Sequence, residues 1–103
     1  MSMTITEKIL AKHAGLAKVE PGQLILAQVD VALGNDISAP IAINEFKRSG
    51  AKELFEPEHL VFVMDHFAPN KDISSARQVK IVRDFAKEHR LLHFYDAGKA
   101  GIE

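Results

Sequence analysis

Residues 60–66 read Leu-Val-Phe-Val-Met-Asp-His, an apolar run that stops at an acid followed by an imidazole. A short apolar run with β-branched and aromatic side chains is typical of a strand buried on both faces, and its length favours a strand over a buried helix. In an open parallel sheet, ligands bind outside the carboxyl ends of the strands. We therefore predict that Asp65 and His66 lie at a ligand-facing edge of a sheet.

The Asp65-His66 pair is the candidate catalytic element. A carboxylate beside an imidazole can orient the ring and raise its proton affinity, as a general acid requires. The polar loop 67–71 follows, where backbone geometry can aim both side chains at a ligand. Asp30 and Asp96 also follow predicted strands, but acids are common turn formers and neither has a neighbouring histidine. The residues alone thus indicate a candidate site without naming a reaction.

Composition excludes several classes of protein. The 103 residues suffice for one small domain, 1–103, and 47% of them are hydrophobic, which argues against disorder. The net charge of −1, with acids and bases interspersed, argues against nucleic-acid binding. There is no cysteine, which excludes a disulfide or a thiolate-held metal site within the chain. We predict no membrane span and no secretory signal, and cytoplasm as the default location.

Helices and strands alternate along the sequence. Thr4 and Glu7 have the spacing of a capping box, and Gly15 is a natural helix stop. The predicted elements are a first helix up to Gly15, a strand at 24–29, a helix at 38–50, the strand at 60–64, a helix capped by Asn70 or Asp72, and a strand at 91–95. Such alternation implies βαβ units with right-handed crossovers. The predicted fold is α/β, with three layers and a mostly parallel sheet flanked by helices.

The polar break Asn35-Asp36-Ile37-Ser38 offers a second candidate position. Ser38 is predicted to be the N-cap of the following helix, with Pro40 in its first turn. The N-terminus of a helix is also a ready anion site. From the pattern alone, simple capping chemistry is the favoured interpretation of this break.

Several stretches also follow the order and spacing of a known family. They are residues 3–11, the NDISAP stretch 35–40, the VMDHxxP stretch 63–69, and Phe94-Tyr95-Asp96 with Gly101-Ile102. Together they resemble the start of the large subunit in the aconitase superfamily, especially 3-isopropylmalate dehydratase and homoaconitate hydratase. The resemblance covers almost the whole chain.

This resemblance implies a hydro-lyase. Enzymes of the family remove and re-add water across a hydroxy di- or tricarboxylate, as in the isomerisation of 2- and 3-isopropylmalate in leucine biosynthesis. They use a [4Fe–4S] cluster as a Lewis acid and a serine on the partner domain as the base. Carried over, His66 would protonate the leaving hydroxyl and Asp65 would orient it. Asn35 falls at a substrate-binding position, and Ser38 could contribute an amide or hydroxyl nearby.

The resemblance further predicts that the chain needs other polypeptide. Family chains continue into further catalytic residues and the cluster cysteines, so we expect an N-terminal piece that is inactive alone. Its partners would be the remainder of the large subunit and the small swivelling subunit, with an apolar surface exposed in their absence and open to homodimerisation. Two alternatives remain: a freestanding α/β binding module for a small anionic ligand or protein partner, and a receiver-like signalling domain, which would want paired acids near the first strand.

Overall fold

Residues 2–98 are described by the computed structural model. They divide into two compact units, 2–30 and 31–98. The predicted Gly101-Ile102 stretch lies outside the described residues, and the single domain 1–103 stays a prediction. Among the described residues, no helix combines the length and the apolar character that crossing a bilayer takes.

The first unit contains helix α1, Ile5–Ala14. Its N-terminus is closed by the predicted capping box: Glu7 N donates to Thr4 Oγ1 at 3.1 Å, and Thr4 N donates to Glu7 Oε1 at 3.0 Å. Gly15 ends the helix with φ 69°, a left-handed conformation that glycine adopts without a steric penalty. The capping box and the stop are therefore confirmed.

The prediction of a strand at 24–29 is wrong. Within the described residues this segment forms no strand, and the Leu24 and Leu26 side chains are 97% and 94% exposed. Its one recorded main-chain bond to another part of the unit runs from Gln28 N to His13 O, at 3.0 Å. An apolar run becomes a strand only when a neighbouring strand accepts its ladder hydrogen bonds, and none of the described residues does so here.

The second unit is a three-stranded parallel sheet in the order β1-β2-β3. Its elements are β1 Ala32–Asn35, α2 Ser38–Arg48, a 3₁₀ turn Pro57–His59, β2 Leu60–Val63, α3 Ile73–Glu88 and β3 His93–Tyr95. Asn35 pairs with Val63, and Val63 with Tyr95, so the carboxyl ends of the strands are level. The α/β class and the parallel sheet are confirmed, with the first strand eight residues later than predicted.

Helices α2 and α3 contact each other and share a core with the sheet. The buried side chains of this core are Ala39 and Ile43 of α2, Phe62 of β2, the following Met64, and Val79, Val82 and Phe85 of α3. Gly34 of β1 lies directly against the Phe62 ring, where a Cβ atom would stand 2.9 Å from Phe62 Cε1. On the alternate face of β1, Leu33 is 64% exposed. A third layer stays a prediction.

Candidate functional site

The candidate site lies where β1 and β2 end. Asn35 is the last residue of β1, and Asp65 and His66 follow β2 after one further residue. Because Asn35 is in register with Val63, the residues after both strands emerge side by side at one edge of the sheet. The structure thus brings the Asn35–Ser38 loop and the Asp65-His66 corner together.

The His66 ring is held through one of its nitrogens. Nδ1 lies 2.7 Å from Asp65 Oδ1, and since an ionised carboxylate only accepts hydrogen bonds, Nδ1 carries a proton and donates it. The Asp65 side chain is 5% exposed and that of His66 44% exposed. No residue within 2–98 is recorded as a hydrogen-bond partner of Nε2. That nitrogen is therefore the one open to a ligand.

The electrostatics of the corner favour the imidazolium. The hydrogen bond to Asp65 raises the pKa of His66 above its ordinary value of 6.5. Partial desolvation opposes this rise, and the negative charges of Asp65 and Asp36 reinforce it. Because a higher pKa means that the ring keeps its second proton to a higher pH, His66 is suited to donating that proton.

Asp36 is the residue of this site that sequence reasoning missed. Its side chain is 0% exposed, and each carboxylate oxygen accepts one main-chain amide: Oδ1 from His66 N at 3.2 Å and Oδ2 from Phe67 N at 2.7 Å. These bonds join the loop after β1 to the loop after β2. An acid directly after a strand could have revealed it, had that strand been predicted at 32–35 instead of 24–29.

Asn35 and Ser38 form a local capping network. Asn35 Oδ1 accepts hydrogen bonds from the amides of Ile37 and Ser38, both at 2.9 Å, and from Ser38 Oγ at 3.2 Å. Asn35 N in turn donates to Ser38 Oγ at 3.1 Å. The prediction that Ser38 is the N-cap is wrong, because α2 begins at Ser38 itself and the capping oxygen comes from Asn35. No hydrogen bond of Asn35 Nδ2 is recorded among residues 2–98.

A groove of about 350 Å³ opens between the N-terminal ends of α2 and α3. Ile37, Phe67 and Ser74 contribute to its walls, and Lys71 is its cationic side chain. Asp72, also on its wall, caps α3: it accepts a bond from Ser75 N at 2.8 Å, which lowers the pKa of Asp72. A second cavity, of about 320 Å³, lies among core side chains beside β1 and has an almost wholly apolar lining. The groove has the more polar lining and includes Phe67, which follows His66 in the chain, but Asn35, Ser38, Asp65 and His66 are not among its lining residues.

The corner is a hydrogen-bonded cluster. Ligand-type atoms of Asp36, Asp65 and His66 lie within 4.8 Å of one another. However, both Asp36 oxygens are taken by amides, and Asp65 is bonded to His66. The chain also has no cysteine, so its residues do not fit a [4Fe–4S] cluster, which thiolates hold. What the cluster can do chemically is orient an imidazole and carry a proton.

Comparison with known proteins identifies relatives of the chain. No family model matches it. Over all 103 residues it is 65% identical to the 3-isopropylmalate dehydratase large subunit of Moorella thermoacetica, 59% to that of Desulfatibacillum aliphaticivorans and 55% to that of Syntrophus aciditrophicus. The chain spans only 24–25% of the length of these relatives, at their N-terminal end. The resemblance drawn from the motifs is confirmed, because the chain is similar over its whole length to the N-terminal quarter of 3-isopropylmalate dehydratase large subunits.

Proposed function

We propose that this chain supplies the proton-handling corner of a hydro-lyase active site that acts on isopropylmalate. His66 is the general acid and Asp65 its orienting partner. The observation that carries the proposal is the one-sided tether of His66: Nδ1 is bonded to Asp65 at 2.7 Å, while the side chain is 44% exposed. A ring held in this way has a fixed direction and a free second nitrogen.

In the dehydration step, His66 begins as an imidazolium. Its Nε2 proton passes to the hydroxyl oxygen of the substrate as the C–O bond breaks and water leaves, while a base from the remainder of the enzyme takes the proton of the neighbouring carbon and the C=C bond forms. The ring is then neutral and keeps its Nδ1 proton on the Asp65 side. Hydration reverses the transfer, since Nε2 takes a proton from the adding water. Well-placed proton transfer of this kind contributes about 100- to 10,000-fold to a rate.

Substrate binding is proposed for the loop at the start of α2. Asn35 Oδ1 is used in capping, so a substrate carboxylate would be bound by the Asn35 Nδ2 donor. The Ser38 hydroxyl already bonds Asn35, and its contribution is to hold that amide in place. Lys71, on the groove wall, adds positive charge that favours a dianionic substrate.

The complete enzyme is proposed to include the remainder of the large subunit and a small subunit, and to act in cytoplasmic leucine biosynthesis. The family's [4Fe–4S] cluster would come from those parts, because this chain has no cysteine to hold it. The serine base would come from the partner domain, as the resemblance implies. The chain alone is therefore expected to be inactive. Exposed apolar side chains support a need for partners: Leu24 and Leu26 in the first unit, and Phe55, which is 92% exposed, in the second.

A chimera tests this function. The chain replaces the matching quarter of the Moorella thermoacetica large subunit, which is co-expressed with its small subunit and assayed for hydration of isopropylmaleate. His66→Asn is expected to lower kcat by about 100-fold or more with a smaller effect on KM. The matched control is His59→Asn, which removes an exposed histidine paired with Glu56 at 2.9 Å outside the site, and it should leave kcat unchanged.

Three outcomes separate the hypotheses. A His66→Asn chimera with the parental kcat would remove His66 from the mechanism. Turnover by the purified chain alone would contradict its dependence on partners. An inactive parental chimera, together with calorimetric binding of isopropylmalate to the isolated chain, would favour the freestanding binding module.

A further inference from the structure

We propose that Asp36 is a positioning residue for the His66 corner, holding the backbone at His66 and Phe67 so that the imidazole leaves the sheet in one direction. The catalytic consequence rests on the proposed function of His66. The positioning itself does not, and it can be measured in the chain without any activity.

The geometry of the backbone carries this inference. The last recorded ladder bond of β2 runs from Met64 N to Tyr95 O, at 2.9 Å. Beyond this bond the chain leaves the sheet. After Asp65, the amides of His66 and Phe67 donate hydrogen bonds to the side chain of Asp36, which lies 30 and 31 residues earlier in the sequence. A side chain thus continues the anchoring that the sheet no longer provides.

Because the Asp36 carboxylate is buried, its hydrogen bonds to the loop are required and not optional. Asp36 is fully buried, and a buried carboxylate is tolerated only when its oxygens are hydrogen-bonded. The bonds to His66 N and Phe67 N satisfy one oxygen each, at 3.2 and 2.7 Å. Moving the loop would leave both the carboxylate and the amides without partners. The buried carboxylate and the loop conformation therefore depend on each other.

The two acids of the corner act on different parts of His66. Asp65 bonds the ring at Nδ1, whereas Asp36 bonds the main-chain amide and lies 3.9 Å from that ring nitrogen. Removing Asp65 would free the ring on a fixed backbone. Removing Asp36 would free the backbone that carries the ring.

Asparagine cannot replace Asp36 in this role. An Asn side chain keeps one acceptor oxygen and places an NH₂ group, itself a donor, against the second amide. Asp36→Asn should therefore break one of the two bonds to His66 N and Phe67 N and leave one buried amide opposed by a donor. Asp36→Ala should break both.

The test is NMR spectroscopy of the full 103-residue chain labelled with ¹⁵N and ¹³C. In the parent we expect scalar couplings across the hydrogen bonds from the amide nitrogens of His66 and Phe67 to Asp36 Cγ, and slow exchange of both amides. Absence of both couplings would overturn the proposal, and this result needs no variant to fold. In Asp36→Asn we expect one coupling lost and exchange of the freed amide faster by about 10-fold. At a pH above the pKa of His66, where the ring is neutral, we also expect the ring to become a mixture of tautomers.

Two controls distinguish positioning from general destabilisation. Asp84→Asn removes the same charge from an exposed pair with Lys80 at 2.6 Å and should leave the His66 ring signals unchanged. Val82→Ala opens the fully buried core and lowers stability without touching the loop. If Val82→Ala changes the His66 tautomer as much as Asp36→Asn does, Asp36 is merely structural and the proposal fails.

The chimera supplies the functional arm. Asp36→Asn should lower kcat by about 10-fold, less than His66→Asn, because the acid is retained but misdirected. If the coupling is lost but kcat is unchanged, Asp36 positions the loop without affecting catalysis, and the catalytic part of the proposal is refuted. An inactive parental chimera would end the hydro-lyase proposal, while the NMR result would still decide the role of Asp36.

Discussion

Replacing Gly34 by alanine should disturb the core and the candidate site together. The added Cβ would lie 2.9 and 3.0 Å from two carbons of the Phe62 ring and 3.3 Å from Ala39 Cβ. Phe62 is 5% exposed and its centroid lies 6.2 Å from that of Phe85, but the ring also lines the apolar cavity of about 320 Å³ beside β1, so part of the contact can be relieved by a shift of the ring. The remaining strain must be taken up by the spacing between β1, β2 and α2.

Overpacking of this kind costs about 1–3 kcal/mol. Replacing glycine with alanine also lowers the conformational entropy of the unfolded chain, which stabilises the folded state by about 0.4–1 kcal/mol where the backbone conformation is compatible. We expect Gly34→Ala to lower the free energy of unfolding by about 1–2 kcal/mol as the difference of these terms. Guanidinium denaturation followed by circular dichroism measures it. Because Asp36 follows β1 directly, exchange of the Phe67 amide should also accelerate.

A double-mutant cycle tests the stated cause. Phe62→Leu removes the ring atoms that the new methyl group would meet, so Gly34→Ala should cost clearly less in the Phe62→Leu background than in the parent. Equal costs in both backgrounds would refute the steric explanation. A stabilising effect of Gly34→Ala in the parent would refute the close approach of β1 to β2.

The remaining predictions concern the first unit. His13 Nδ1 and Nε2 face only acceptors, Ile9 O at 2.8 Å and Asp30 Oδ2 at 2.7 Å, and the bond to Asp30 is the main cause of its raised pKa. Because the folded pKa of His13 lies above the ordinary 6.5, the stability that this bond contributes is complete below pH 6.5 and is lost as the pH rises through the folded pKa. The denaturation midpoint should therefore fall over that pH window, and it should fall less in Asp30→Asn. Identical pH profiles of the parent and the variant would contradict the assignment. The double variant Leu24→Ser, Leu26→Ser should change the free energy of unfolding of the isolated chain by no more than about 0.5 kcal/mol, because both side chains are exposed. The same double variant should lower the melting temperature of the chimera. An unchanged melting temperature of the chimera would argue against a partner at this segment.

Features encoded by neighbouring residues were predictable from the sequence. The capping box needs only Thr4 and Glu7, three positions apart, and the helix stop needs only Gly15. The Asp65-His66 corner was also placed correctly after the central strand, because the apolar run at 60–64 ends at the acid. In each case the sequence pattern and the structure involve the same few consecutive residues.

Features that depend on distant partners were not predictable in this way. Residues 24–29 are more apolar than β1, Ala32–Asn35, yet it is β1 that pairs with β2, with Gly34 against the Phe62 ring. Asp36 was assigned to a polar break because its partners, the amides of His66 and Phe67, lie 30 and 31 residues ahead. A pattern within one segment contains no signal for either contact.

The separation of roles between the two acids bears on how such a site can be assembled from several segments. The proposed general acid needs both a raised proton affinity and a fixed direction. Asp65 raises the proton affinity and orients the ring, and in our proposal Asp36 fixes the backbone that carries the ring. Since Asp36 is buried within the second unit, the proposal implies that the direction of His66 is set before any partner arrives. Partners that complete the site would therefore meet a pre-organised imidazole. Substrate binding would then not have to order the ring, so its free energy would not be reduced by that entropy loss.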